Sequence, residues 1–361
     1  MVRPQPPEDD EVEITLLGPG LGESCVLHVG NGDWLIVDSC VTREGRPAAL
    51  AYLETLGVPG GSVRWAIATH WHDDHIRGFS KLVEECSEAR VIHSAALEDD
   101  EFMMLAALDS DSLTEGSTGV KEMWNVWTHL KDSGRGAPEL ASSDSRIYKR
   151  PPNVAPNCEI WTLSPNSASV ADAISSFSTL IAEPGQPKRT VPRPKRNPSS
   201  VVVWVRAGDV IALLGADLER SSDDSRGWKA IVNSSGRPSE KAHVVKIPHH
   251  GSVDAHDQTM WNDLLVPQPL AGITPFSQGN ALLPRDSDSA RIAGLTSEAW
   301  LTRDTDLARA RGRPSAVNRT IKEATRQFKR LSIDPGRVTF RCTASQPESW
   351  TVDAPWPATR L

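Results

Sequence analysis

Residues 70–75 read HWHDDH, three imidazoles and two carboxylates in six positions. Such a cluster is costly to bury unless a cation holds it together. The apolar stretch RWAIAT (64–69) ahead of it reads as a short buried strand, so His70 stands at a strand end. His70 and His72 lie two apart, and extended backbone turns both rings to one side. Asp74 and His75 follow at the entry to a helix, where a turn brings them back toward the same space. Imidazole nitrogens beside a carboxylate oxygen suit Zn²⁺, and also Mn²⁺ or Fe²⁺. The plain alternative is a solvated polar turn, which leaves the buried strand end unexplained.

Working outward, strands and helices mingle. EVEITLL (11–17) and SCVLHVG (24–30) read as strands joined by the glycine-rich GPGLGE, and WLIVDSC (34–40) follows as a third. RPAALAYLETLGV (46–58) has helical spacing, with proline tolerable in a first turn and glycine near the end. FSKLVEEC (79–86) is helical again, and ARVIHS (89–94) and EIWTLSP (159–165) read as strands. LEDDEFMMLAALDS and VKEMWNVWTHL read as amphipathic helices of an insert beside the core, over about residues 95–135. A helix is expected near SVADAISSFSTLIAE, then a proline-punctuated basic loop over about 185–198 with five Lys or Arg between 188 and 196. SVVVWVRAGDVIALLGADLE reads as a hairpin turning at Ala207, Gly208 and Asp209. HVVKIPHHGS and LAGITPFS are further strands, and the tail carries a helix (316–330) and the strand RVTFRC. The expected class is α/β (α+β). The expected boundaries are a flexible tail over 1–11, one domain over 12–305, and a C-terminal helix and strand (306–361) packing on it.

Composition narrows the function classes. Hydrophobic content of 39% and charged content of 24% suit an ordinary soluble globular chain. No run of about 18 apolar residues reads as a membrane span, and the acidic start MVRPQPPEDDEVEI lacks the apolar core of a secretory signal. The five cysteines (25, 40, 86, 158, 342) are scattered without CxxC spacing, as for reduced thiols in a cytoplasm. The net charge of −8 argues against a general polyanion-binding surface and leaves room for a local basic patch or bound cations.

HWHDDH fits the H-x-H-x-D-H signature of the metallo-β-lactamase superfamily. GLGESCVLHV with WLIVDSC, then IALLGADLE, then VVKIPHHGS, resemble in order the segments of the ComEC-type competence-protein metallohydrolase domain. The resemblance spans roughly residues 12–305 and implies an αββα sandwich, here with a helical insert, holding two divalent ions, Zn²⁺ first, Mn²⁺ or Fe²⁺ as alternatives. It implies that His70 and His72 hold one ion, that Asp74, His75 and His250 hold the other, and that Asp217 bridges them. Read without the resemblance, Asp217 is a helix cap or turn residue. Adjacent strand residues point to opposite sides, so with His250 as ligand His249 faces substrate. The histidine usual before proline in the competence domain is replaced by Leu283, and His93 and His129 read as structural rather than as a third imidazole.

The resemblance implies a binuclear metal-dependent hydrolase that uses a hydroxide shared between the ions. Asp74 orients that nucleophile, and His249 stabilises the transition state or protonates a leaving group. Asp38 fixes an imidazole by accepting its other N–H. Phosphodiester hydrolysis, of nucleic acid or a nucleotide, is the leading expectation, with Lys246, Ser252, Arg193, Lys195 and Arg196 as substrate contacts. Carboxylic ester, lactone or amide hydrolysis is the alternative, and a non-catalytic, metal-stabilised interaction module is the reading from another class. A partner protein could engage the helical insert or the tail.

Overall fold

The computed structural model describes residues 5–18, 22–97, 119–178, 197–278, 281–305 and 336–361. The chain opens with β1 (Glu11–Gly18), β2 (Ser24–Val29), β3 (Trp34–Val37), β4 (Val63–Ala68), β5 (Arg90–Ser94) and β6 (Glu139–Ala141). It continues with β7 (Ser145–Lys149), β8 (Cys158–Thr162), β9 (Val203–Ala207), β10 (Val210–Leu214), β11 (Ala242–Lys246) and β12 (Leu265–Ile273). A small hairpin, β13 (Phe276–Gln278) and β14 (Ala281–Leu283), precedes β15 (Ala299–Leu301), β16 (Gly336–Thr343), β17 (Thr351–Asp353) and β18 (Thr359–Arg360).

Two sheets result, in the orders β17-β16-β1-β2-β3-β4-β5-β6 and β18-β15-β12-β11-β10-β9-β8-β7. They pack face to face through Ile14, Leu27, Leu35, Ile67, Val205, Ala212, Val244 and Phe340. Helices cover both outer faces. On the first sheet, Ala48–Leu56, Phe79–Glu85 and Gly119–Asp132 bury Leu53, Phe79, Leu82, Met123 and Val126. On the second, Gly227–Asn233, Gln258–Leu264 and Asp286–Ala293 bury Trp228, Ile231, Met260 and Ile292. This is an αββα sandwich, a mixed α/β fold. It explains the near-continuous apolar strands: in β3, Trp34 and Ile36 face helices while Leu35 and Val37 face the other sheet.

One expectation changes. The helix Gly119–Asp132 is no lateral insert, because Val120, Met123, Val126 and Leu130 complete the helical layer with Phe79 and Leu82. The C-terminal strand packs on the same domain, since β16 pairs with β1 along its whole length, from Glu11↔Thr343 to Gly18↔Gly336. The strands β6 and β7 were not read from the sequence. The expected helices over 97–110 and 316–330 and most of the basic loop lie outside the described residues. Among the described residues, no helix is long and apolar enough to cross a membrane.

The topology aims chain ends at one edge. β3, β4 and β5 run parallel, as do β10, β11 and β12. Segments leaving β4, β10 and β11 therefore emerge from carboxyl ends, the usual location of ligand sites in such sheets. If β16 is integral to the sandwich, Phe340→Ala, at a fully buried position, lowers unfolding free energy by about 3–5 kcal/mol in urea titrations.

Candidate metal centre

β4 ends at Ala68, and after an irregular stretch that ends in extended backbone at His72 a single helical turn, Asp73–Ile76, bends the chain back. Gly22 permits this packing. It has φ +97°, and a Cβ there would lie 2.6 Å from the Asp74 carbonyl oxygen. The next amide, Glu23 N–H, donates to that same carbonyl at 2.8 Å. Asp73 is occupied elsewhere, accepting from Gly119 N–H at 2.6 Å and so tying the turn to the long helix. After β10, Gly215 and Ala216 (φ +45°) turn the chain so that Asp217 points inward. After β11, the turn Pro248–Gly251 places His249 and His250 at φ +47° and +52°. Two successive non-glycine residues in the left-handed region store strain, a feature that clusters at functional sites.

These three segments meet. Asp217 Oδ2 lies 3.3 Å from His75 Nε2, 3.8 Å from His250 Nε2 and 4.0 Å from His70 Nε2. Asp74 Oδ2 lies 3.2 Å from His250 Nε2 and 3.8 Å from His75 Nε2. His70 Nε2 and His72 Nδ1 approach to 3.0 Å. His70, His75, His250 and Asp217 are almost wholly buried.

The other ring nitrogens are tied off. His75 Nδ1 donates to Asp38 Oδ2 at 2.7 Å, and His250 Nδ1 donates to the Thr274 carbonyl at 2.7 Å. The Thr69 hydroxyl donates to Asp38 Oδ2 at 2.7 Å and so accepts from His70 Nδ1 at 3.0 Å. Each of these rings therefore turns its Nε2 edge toward the same small space, the outer hydrogen-bond pattern of ligating histidines. His75 Nε2 and Asp217 Oδ1 are buried without a hydrogen-bond partner. Three groupings, Glu23-His75-Asp217-His250, Asp38-His70-His75 and His70-His72-Asp217, have ligand atoms within 4.8 Å of one another. The residues fit divalent cations by donor type, by orphaned buried atoms and by charge.

The electrostatics agree. Burial, with His75 and His72 alongside, pushes His70 well below the ordinary histidine range. At His75 burial opposes the cation, yet Asp217, Glu23, Asp74 and Asp38 draw its proton affinity well above that range. At Asp74 and Asp217 burial resists ionisation, but His75 and His250 hold both carboxyls below the usual carboxylate range. The pocket is thus a field that binds positive charge.

The remaining sequence-derived candidates divide. Asp38 also accepts from Thr69 N–H at 2.8 Å. His249 turns away from His250 toward Asn197 Nδ2 at 3.3 Å and Glu219 Oε1 at 3.5 Å. The two rings part because the turn follows the end of β11, not because strand residues alternate. Lys246 is corrected: it is 1% exposed, donating to the Ala216 carbonyl at 2.7 Å and pairing with Glu23 at 2.5 Å, so it is buried beneath the site rather than open to a substrate contact. Ser252 is buried and caps the next turn by accepting from Asp254 N–H at 3.3 Å. Arg193, Lys195 and Arg196 lie outside the described residues. His93 is buried, bonded to the Ser94 carbonyl at 2.9 Å and pushed by burial down to about 4, hence neutral and structural. Sequence reasoning missed Glu23, Thr69, Thr274, Asn197 and Glu219. Only Glu23 carried a signal, as the acid of the quoted GLGES segment.

Residues 18–104 match the model of the Metallo-beta-lactamase superfamily. Among solved structures, the chain is similar to the metallo-beta-lactamase fold protein YhfI from Bacillus subtilis. The identity is 13%, covering 81% of this chain and 95% of that one, with a TM-score of 0.41. A HARLDQ-motif metallo-beta-lactamase from Cronobacter sakazakii is 14% identical over 64% of this chain and 73% of its own, with a TM-score of 0.35. The metallo-beta-lactamase SMB-1, bound to 2-mercaptoethanesulfonate, is 15% identical over 72% and 83%, with a TM-score of 0.35. No curated protein matches the sequence.

Asp38 orients His75 directly and His70 through Thr69. Asp38→Ala is expected to weaken metal affinity by about 10–100-fold, measured by competition with a chromophoric chelator.

Proposed function

We propose that this chain is a metallo-β-lactamase-superfamily hydrolase with two divalent ions, Zn²⁺ foremost, cleaving phosphodiesters of nucleic-acid or nucleotide type. The observation that carries the reading is the convergence of imidazole nitrogens and carboxylate oxygens from three separate segments onto one buried space. His70, His72 and Asp217 would hold one ion, and Asp74, His75, His250 and Asp217 the other. Bound there, the ions would supply Lewis acidity and lower the pKa of water toward neutrality.

The chain's own groups do the rest. Asp74 keeps its carboxylate ionised and partly open to solvent, with 19% of its side chain exposed, so it can orient the attacking water. Asp38, Thr69 and Thr274 hold the rings in the tautomer that leaves Nε2 free. His249 is the outward imidazole of the pair, 20% exposed and flanked by Glu219 and Asn197. It is placed to pass a proton to a leaving oxygen. Beside it, His249, Ser252, Arg285 and Leu283 border a cavity of about 370 Å³ in which a substrate can lie.

The phosphodiester reading draws on position in the chain. The basic stretch ending at Arg196 runs directly into Asn197, the residue that touches His249. A run of cations just ahead of that residue in the sequence suits an anionic substrate more than a neutral ester.

Metal-loaded protein is expected to hydrolyse bis-p-nitrophenyl phosphate and single- or double-stranded DNA or RNA. Asp74→Ala is expected to cost about 10²-fold or more in kcat. Turnover confined to carboxylic esters or lactones would replace the phosphodiester reading. Metal binding without turnover of any substrate would favour an interaction module. Separately, prior dialysis against a chelator is expected to abolish turnover, and added Zn²⁺ or Mn²⁺ to restore it.

A further inference from the structure

The ion pair beneath the centre is not accounted for by packing. Glu23 and Lys246 are 2% and 1% exposed, and their charged atoms stand 2.5 Å apart. Isolating two charges from water is expensive, and apolar residues of similar volume often serve stability as well. Glu23 nevertheless belongs to a grouping with His75, Asp217 and His250 whose ligand atoms are mutually within reach of a cation. Its second oxygen accepts from the Thr274 hydroxyl, the residue whose carbonyl orients His250. The Lys246 ammonium also stands 3.7 Å from Asp217 Oδ1, the oxygen that has no hydrogen-bond partner. Asp217 is thereby divided: Oδ1 faces the ammonium, while Oδ2 faces the imidazoles.

We infer that Lys246 is a resident cation of this centre, whose ammonium takes the place a divalent ion would otherwise find on Glu23 and so keeps Glu23 out of the ligand set. This rests on the proposed metal-binding reading. A covalently attached charge cannot dissociate, and it confines exchangeable ions to the Asp217 Oδ2 side, where Asp74 opens to solvent. Lys246 is thus a positioning residue, acting on the reaction through Asp217.

The sign of its effect on metal binding follows from charge. Lys246→Met leaves Glu23 buried and unpaired, so the metal-free variant melts below the wild type. Zn²⁺ then replaces the lost ammonium, and the variant takes up one more ion per chain than the wild type with a larger Zn²⁺-induced rise in Tm. Glu23→Gln combined with Lys246→Met removes both charges and returns the wild-type ion count. Equilibrium dialysis with elemental analysis gives the count, and melts with and without Zn²⁺ give the shift. A purely structural lysine would lower Tm without raising the ion count. A Lys246→Met chain that gains no ion and no larger shift, or stays unfolded with Zn²⁺ present, overturns the inference. Wild-type protein that takes up no ion overturns the functional reading itself, a separate result.

Discussion

Four carboxylates, those of Glu23, Asp38, Asp74 and Asp217, share one edge of the sandwich with the buried ammonium of Lys246. Burying that much like charge costs several kcal/mol per ion unless it is paired and hydrogen-bonded. The surrounding structure reads as the answer to that constraint. Imidazoles stand between the carboxylates, backbone amides and hydroxyls meet several of the oxygens, and His75 Nε2 and Asp217 Oδ1 stay buried without a hydrogen-bond partner. The arrangement attracts positive charge.

Rigid elements hold that point in place. Asp38 closes β3 and reaches across to the residues leaving β4, so one carboxylate sets the tautomer of His75 directly and of His70 through Thr69. Thr274, just past β12, does the same for His250. Since β3 and β4 lie in the first sheet and β12 in the second, the geometry of the site is a property of how the sheets pack. Sites held by strand ends and outer hydrogen bonds are positioned before ligand arrives.

The share of this that was legible in the sequence has a physical pattern. Strands such as WLIV and VIALL announce themselves because both faces are buried. SRIYK did not, because its residues are only partly covered at the edge of a sheet. The helix Gly119–Asp132 was recognised by its period and misassigned as an insert, since a period shows that a face is apolar and not what covers it. Lys246 was read as a substrate contact because a lysine's burial depends on a partner, Glu23, that lies 223 positions away in the chain.

By itself, the amino-acid order determined which metal-ligating residue types stand together in the HWHDDH turn. Three histidines and an aspartate at offsets set by a strand end and one helical turn are a local matter, as is the alternation that makes two sheets. Which atoms meet was decided only by tertiary structure. His250 and Asp217 approach His75 because parallel strands from distant segments end at the same edge, and Glu23 joins them from the start of β2, which runs antiparallel to β3. Their roles then depend on partners such as Thr274 and Lys246 that no local pattern marks. Short-range backbone geometry is written in neighbouring residues, whereas electrostatic pairing depends on distances that exist only once the chain has folded.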